Sequence, residues 1–230
     1  MEAKYCLLAL LVSITLAGCD AETPRAGSPP PASSPGPAAA GPDGAPVVMF
    51  LGTSLTAGYG LDPGDAFPAR IQAKLDSAGW TWRVVNAGVS GETSAGALRR
   101  LDWLLAREHP AVLVIETGAN DGLRGLPPDT LEANLLAIAR RARALEPAPR
   151  LVFLEMEAPP ELGDRYTRRF REVYTAVAQR TNSALVPFFL EGVAGIDSLN
   201  QPDRIHPTPQ GHAVAADNLW QTLREVLRPR

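Results

Sequence analysis

Apolar runs alternate along this chain with segments in which apolar residues recur every three or four positions. Val47 to Leu51, Val84-Val85, Ala111 to Ile115, Leu151 to Met156 and Ala184 to Val186 are short, continuous and rich in branched side chains. That is the composition of strands buried on both faces of a parallel sheet. Leu131, Leu135, Ile138, Ala142 and Leu145 share one face of a predicted helix, as do Ala97, Leu101 and Leu104-Leu105. Tyr166, Phe170, Val173 and Val177 make a third such stripe, and Ala215, Leu219, Leu223 and Val226-Leu227 a fourth. Strand-helix alternation over five strands predicts one three-layer α/β domain with a five-stranded parallel sheet, spanning residues 47 to 230.

The chain before that domain has a different character. Leu7 to Leu16 is apolar but too short to cross a bilayer, with Lys4 before it and small residues after it, the layout of a signal peptide over residues 1 to 18. Leu16-Ala17-Gly18-Cys19 resembles the bacterial lipobox, in which the cysteine is lipidated and becomes the new N-terminus. The plain alternative is an ordinary signal peptide cut after a small residue. From Cys19 to residue 46 the chain is mostly Pro, Ala, Gly and Ser, which cannot bury enough surface to offset its ordering entropy. It is expected to be a disordered tether reaching ~30–80 Å. The whole then reads as an exported protein, lipid-anchored to a bacterial envelope and facing the periplasm.

Composition narrows the function classes. The net charge is −3, which gives no reason to expect a nucleic-acid partner. The arginine clusters at Arg140-Arg141-Arg143 and Arg165-Arg168-Arg169-Arg171 fall on polar helix faces near acidic residues and read as solvated surface. Of two cysteines, Cys6 lies in the leader and Cys19 would carry lipid, so none remains for a disulfide, a metal or catalysis. The three histidines, His109, His206 and His212, show no metal-ligand spacing.

In a parallel sheet the ligand crevice lies beyond the carboxyl ends of the strands. Short polar segments sit there: Gly52-Thr53-Ser54-Leu55 after the first strand, Asn86 to Gly91 after the second, and Gly118 to Asp121 after the third. A serine after a strand is most often a helix cap. Ser54 gains weight from His206, which has Asp203 three residues before it, so that one carboxylate can fix the imidazole while its other nitrogen faces the serine. A structural histidine at a helix start is the alternative. The N–H of Ser54, the N–H of Gly88 and the amide of Asn120 are candidate donors to an oxyanion; singly, Gly88 could be a simple turn and Asn120 an Asx-turn. Glu155 and Glu157 are too close to flank a glycosidic bond and are assigned to the pocket rim. No G-x-S-x-G elbow, P-loop or dinucleotide fingerprint is present.

These residues resemble the GDSL, or SGNH, hydrolase superfamily, in particular its bacterial arylesterases and lysophospholipase-type thioesterases. The resemblance rests on Phe50 to Leu61, Asn86 to Ser94, Gly118 to Pro127, Ala158-Pro159-Pro160, Val186 to Gly195 and Ile205 to His212. It implies a flavodoxin-like α/β/α sandwich, Ser54 as nucleophile, Gly88 and Asn120 completing the oxyanion hole, Asp203 and His206 finishing the triad, and no cofactor. One departure stands out. The family's first block has aspartate after its glycine where this chain has Thr53, so lowered or altered activity is expected.

The expected function is hydrolysis of small-molecule carboxylic esters or thioesters through an acyl-enzyme. Leu61, Leu123, Leu126, Phe188 and Phe189 are candidate acyl-pocket residues by their positions after strands, with core packing as the alternative for each. Two other readings compete: an O-acetylesterase acting on envelope carbohydrate, and a non-catalytic tethered binding module in which Thr53 marks lost activity.

Overall fold

β1 (Val47–Gly52), β2 (Arg83–Gly88), β3 (Val112–Glu116), β4 (Arg150–Leu154) and β5 (Ala184–Val186) form one parallel sheet in the order β2-β1-β3-β4-β5. This is a computed structural model, and it describes residues 44 to 228. The expected signal peptide, Cys19 and most of the tether lie outside the described residues. Among the described residues no helix is long and apolar enough to cross a membrane.

The chain runs outward from β1 to β2 and then returns to β3 on the other side of β1. That reversal opens a crevice between the carboxyl ends of β1 and β3. β1 and β3 are buried throughout, which is why their sequences are unbroken apolar runs. β2, at the edge, is only half-buried, and its sequence signal shrinks to Val84-Val85.

α2 (Phe67–Ser77) and α7 (Pro209–Leu227) pack together over the sheet. α3 (Ser94–Glu108), α5 (Pro128–Ala142) and α6 (Asp164–Arg180) cover its other face. Two short helices, α1 (Ser54–Ala57) and α4 (Ala119–Leu123), directly follow β1 and β3. α2 has no counterpart in the periodicity reading. Only Phe67, Ile71 and Leu75 mark its buried row, too sparse a stripe to read, although Pro68 sits at the helix start where proline is favoured. α5 stops at Ala142, so Leu145 meets the core from the following turn.

Phe67 organises the packing beneath the crevice. Its ring meets Phe50 edge-on at 5.5 Å and Phe189 at 4.7 Å, and lies parallel to the imidazole of His212. The Phe67 N–H, an unpaired donor of the first turn of α2, donates to His212 Nδ1 at 3.2 Å. His212 therefore pins α2 to α7 as a neutral acceptor. Burial, with Arg70 nearby, lowers its pKa from 6.5 to about 4.

The sign of the pH effect follows. The unfolded chain takes up a proton near the ordinary histidine value, whereas the folded chain resists it until about pH 4. Stability is intact above pH 6.5 and falls as the pH drops from 6.5 towards 4, by about 2–3 kcal/mol in all. Urea unfolding across that window should show the slope in the native protein. It should be largely absent in His212→Gln, which cannot titrate.

Candidate active site

The turn that carries Ser54 is built around the buried carboxyl group of Glu116. β1 ends at Gly52, Thr53 leaves the strand, and α1 begins at Ser54. Glu116, at the end of β3, lies opposite Gly52 in the parallel register. Its side chain reaches under the turn. Glu116 Oε2 accepts from the Thr53 N–H at 2.8 Å, the Thr56 N–H at 3.2 Å and the Thr56 hydroxyl at 2.8 Å, and Oε1 accepts from the Thr53 hydroxyl at 3.0 Å. Burial pushes the Glu116 pKa up, while these donors from Thr53 and Thr56 pull it back. Sequence reading passed over Glu116 because it looks like the polar end of an apolar strand. An acid closing a fully buried run was the available signal.

Ser54, at the first position of α1, is nearly buried, and its Oγ lies 2.9 Å from His206 Nε2. His206 Nδ1 lies 2.6 Å from Asp203 Oδ2. The other oxygen of Asp203 accepts the N–H groups of Ile205 and His206, each at 3.0 Å. The carboxylate thus closes a tight turn and leaves one oxygen for the imidazole. The backbone N–H of His206, then its ring, lowers the Asp203 pKa to about 2. Arg204 takes a left-handed conformation, φ +61°, to complete the turn. The three residues singled out in the sequence therefore meet as a continuous relay.

Asn120, at the start of α4, borders the same cavity and donates one amide hydrogen to Glu92 O at 3.0 Å, leaving the other for a ligand. Ser94, at the start of α3, is tied to the Asn120 segment: its N–H and hydroxyl both donate to Asp121, at 2.8 and 2.6 Å.

Gly88 requires a correction. Its N–H donates to Asn86 Oδ1 at 3.0 Å, and the residue does not border the cavity. It is a glycine because β2 presses against the turn that carries Ser54. A Cβ there would lie 2.3 Å from the Ala57 N and 2.8 Å from the Thr53 O. Gly91, three residues on, does border the cavity, and neither its N–H nor that of Ser54 meets an acceptor among the described residues. Both glycines lie in the Asn86 to Gly91 segment, Gly88 closing β2 and Gly91 in the loop beyond it.

The cavity holds about 540 Å³ and is walled mainly by Leu55, Leu123, Met156, Pro160, Phe188 and Leu190. Of the five candidate pocket residues, Leu123 and Phe188 reach it. Leu61, Leu126 and Phe189 do not. Leu61 is held in the turn after α1 through its N–H to Gly58 O. Leu126 lies in the turn after α4, where its carbonyl accepts the Tyr166 hydroxyl at 2.6 Å. Phe189, in the turn that follows β5, faces inward onto Phe67. Glu157 borders the cavity, paired with Arg171 at 2.7 Å, whereas Glu155 is folded inward and away from the rim. No group of three or more His, Cys, Asp or Glu among the described residues could hold a metal ion.

Residues 50 to 214 match the model of the GDSL-like Lipase/Acylhydrolase family. Esterase TesA of Pseudomonas aeruginosa is 45% identical over 183 residues, covering 80% of this chain and 90% of its own. The thioesterase 1/protease 1/lysophospholipase L1 of Escherichia coli strain K12 is 34% identical over 183 residues, 80% of this chain and 86% of its own. A crystal structure of TesA superposes with a TM-score of 0.76 at 45% identity, over 79% of this chain and 99% of that one. The sheet order, the Ser54–His206–Asp203 relay and these matches lead to one conclusion: the chain belongs to the GDSL-like lipase/acylhydrolase family and is a serine hydrolase of carboxylic esters.

Proposed function

We propose that Ser54 is the nucleophile, His206 the general base and acid, and Asp203 the group that fixes the imidazole, with the N–H of Ser54, the N–H of Gly91 and the amide of Asn120 receiving the oxyanion. The supporting observation is the relay of 2.9 and 2.6 Å beside a mainly apolar cavity of about 540 Å³. His206 Nε2 takes the Ser54 proton as Oγ attacks the ester carbon, and the carbonyl electrons move onto oxygen. Collapse of that intermediate breaks the acyl bond, and His206 returns the proton to the leaving alcohol or thiol. Water, deprotonated by the same imidazole, then attacks the acyl-enzyme and releases the acid with Ser54 restored.

The apolar walls favour an acyl chain longer than acetyl as the buried part of the substrate, because an acetyl group leaves most of the cavity unfilled. Esters and thioesters are both candidate substrates, in keeping with the names of the relatives. The apolar cavity weighs against an O-acetylesterase, and the intact relay weighs against a binding module. Export and lipid attachment through Cys19 complete the proposal, supported by the apolar Leu7 to Leu16 run and the Leu-Ala-Gly-Cys sequence.

Thr53 enters this mechanism through Glu116. The turn that carries Ser54 is held by four donor groups on one carboxylate, and among the described residues the Thr53 hydroxyl is the one partner of Glu116 Oε1. An inaccurate turn moves both the nucleophile and its oxyanion N–H.

Four results are expected. Ser54→Ala abolishes ester turnover and fluorophosphonate labelling, and Asn120→Ala loses roughly 10²–10³ in kcat. A Ser54→Ala protein that still turns over esters would overturn the assignment. Thr53→Ala, which strips Glu116 Oε1 of its partner, lowers kcat about tenfold and stability by about 1–2 kcal/mol, with Thr53→Ser much closer to native in both kinetics and melting. Intact mass of the protein purified from membranes shows acyl chains on Cys19, and a free thiol there rules out the anchor.

A further inference from the structure

We infer that Gln201 is a positioning residue that clasps the loop carrying Asp203 and His206 to the segment after the nucleophile helix, and that Tyr59 is the aromatic platform which this clasp holds against the imidazole. The inference rests on the roles proposed above for Ser54 and His206.

Gln201 is bonded on every side to the two catalytic segments. Its N–H donates to His206 O at 2.7 Å, and its own carbonyl accepts the Arg204 N–H at 2.8 Å, closing the Asp203 turn at both ends. Its side-chain Nε2 donates across to Tyr59 O at 2.8 Å and to Pro207 O at 3.0 Å. Tyr59 in turn donates its N–H to Ser54 O at 3.0 Å. An unbroken path of hydrogen bonds therefore runs from the backbone of the nucleophile, through Tyr59 and Gln201, to the backbone of the base. The close approach leaves its mark on Gly60. A Cβ there would lie 2.5 Å from Gln201 Oε1, and the backbone at φ +76° is one that side chains rarely adopt.

The second half of the clasp is a ring contact. Tyr59 is half exposed, yet its ring sits 4.6 Å from the imidazole of His206, tilted by 38°. Asp203 fixes that imidazole in its own plane through Nδ1. Nothing in that bond stops the ring from swinging about it, and the face of Tyr59 does. During acylation the imidazole becomes a cation, which an aromatic face also favours. The side-chain amide of Gln201 holds Tyr59 in place, so it acts on the base through Tyr59 as well as through the backbone. The transfer it protects spans 2.9 Å and is sensitive to sub-ångström misplacement.

Two measurements test this on the folded domain. Gln201→Met keeps the length of the side chain and removes its donor. It should lower kcat for a neutral aryl ester by at least about tenfold while KM stays within about twofold. In the same variant the ring protons of His206, one of three histidines, should lose the ring-current shift imposed by Tyr59 in NMR spectra. Tyr59, at the surface, probes the clasp without threatening the fold: Tyr59→Leu should fall at least about fivefold further in kcat than Tyr59→Phe, which keeps the aromatic face. Gln201→Met with native kcat and unshifted His206 resonances would overturn the inference, as would equal losses in the two Tyr59 variants. A native protein that hydrolyses no ester, while Gln201→Met still displaces the His206 resonances, would sink the esterase assignments and leave the clasp standing.

Discussion

Glu116 sits where the sheet is driest, opposite Gly52 and beneath the turn that carries Ser54, and its carboxylate gathers two backbone N–H groups and two hydroxyls. A carboxyl group removed from water is costly unless its lone pairs are filled, and here, among the described residues, the groups that fill them belong to Thr53 and Thr56. The turn cannot drift without exposing that debt. Ser54 is thus fixed by what lies on either side of it in sequence. That leaves its own hydroxyl and N–H uncommitted to the fold and available to a substrate.

His206 is held by a different principle. Asp203, His206 and Gln201 belong to a surface loop with few buried side chains, so hydrogen bonds within the loop must do what core packing does for Ser54. Asp203 accepts from two backbone N–H groups and the imidazole, and those same bonds hold it well below the usual carboxylate range. A carboxylate that stays ionised at any ordinary pH is the partner an imidazolium needs. One half of the site rises from the sheet and the other is laid over it as a loop, with the Gln201 side chain joining them.

Much of this was legible from residues alone, for identifiable reasons. β1, β3 and β4 are wedged between two helical layers, and burial on both faces writes itself as an unbroken apolar run. Ser54, His206 and Asp203 were legible because few residue types can do their work and the chain has just three histidines. What escaped was decided by geometry finer than sequence position. Gly88 and Gly91 are alike on paper, and only the spent N–H of Gly88 and the cavity beside Gly91 separate them. Phe188 and Phe189 are neighbours of the same type, and the turn after β5 sends one to the cavity and the other to the core. Gln201 gave no signal at all, because a loop glutamine becomes informative only when its acceptors on distant segments are known.

Thr53 shows how a local departure from a pattern must be weighed against what surrounds it. On sequence grounds, losing an acceptor-only carboxylate beside the nucleophile weakens the turn. In the folded chain the neighbour at that point is another carboxylate, that of Glu116. An ionised aspartate could not donate to Glu116, and two buried carboxylates at that distance could be tolerated only by sharing a proton. Threonine donates outright, so the turn keeps its brace with one fewer ionisable group. The threonine therefore braces the turn behind Ser54 without a proton having to be shared between two buried carboxyl groups.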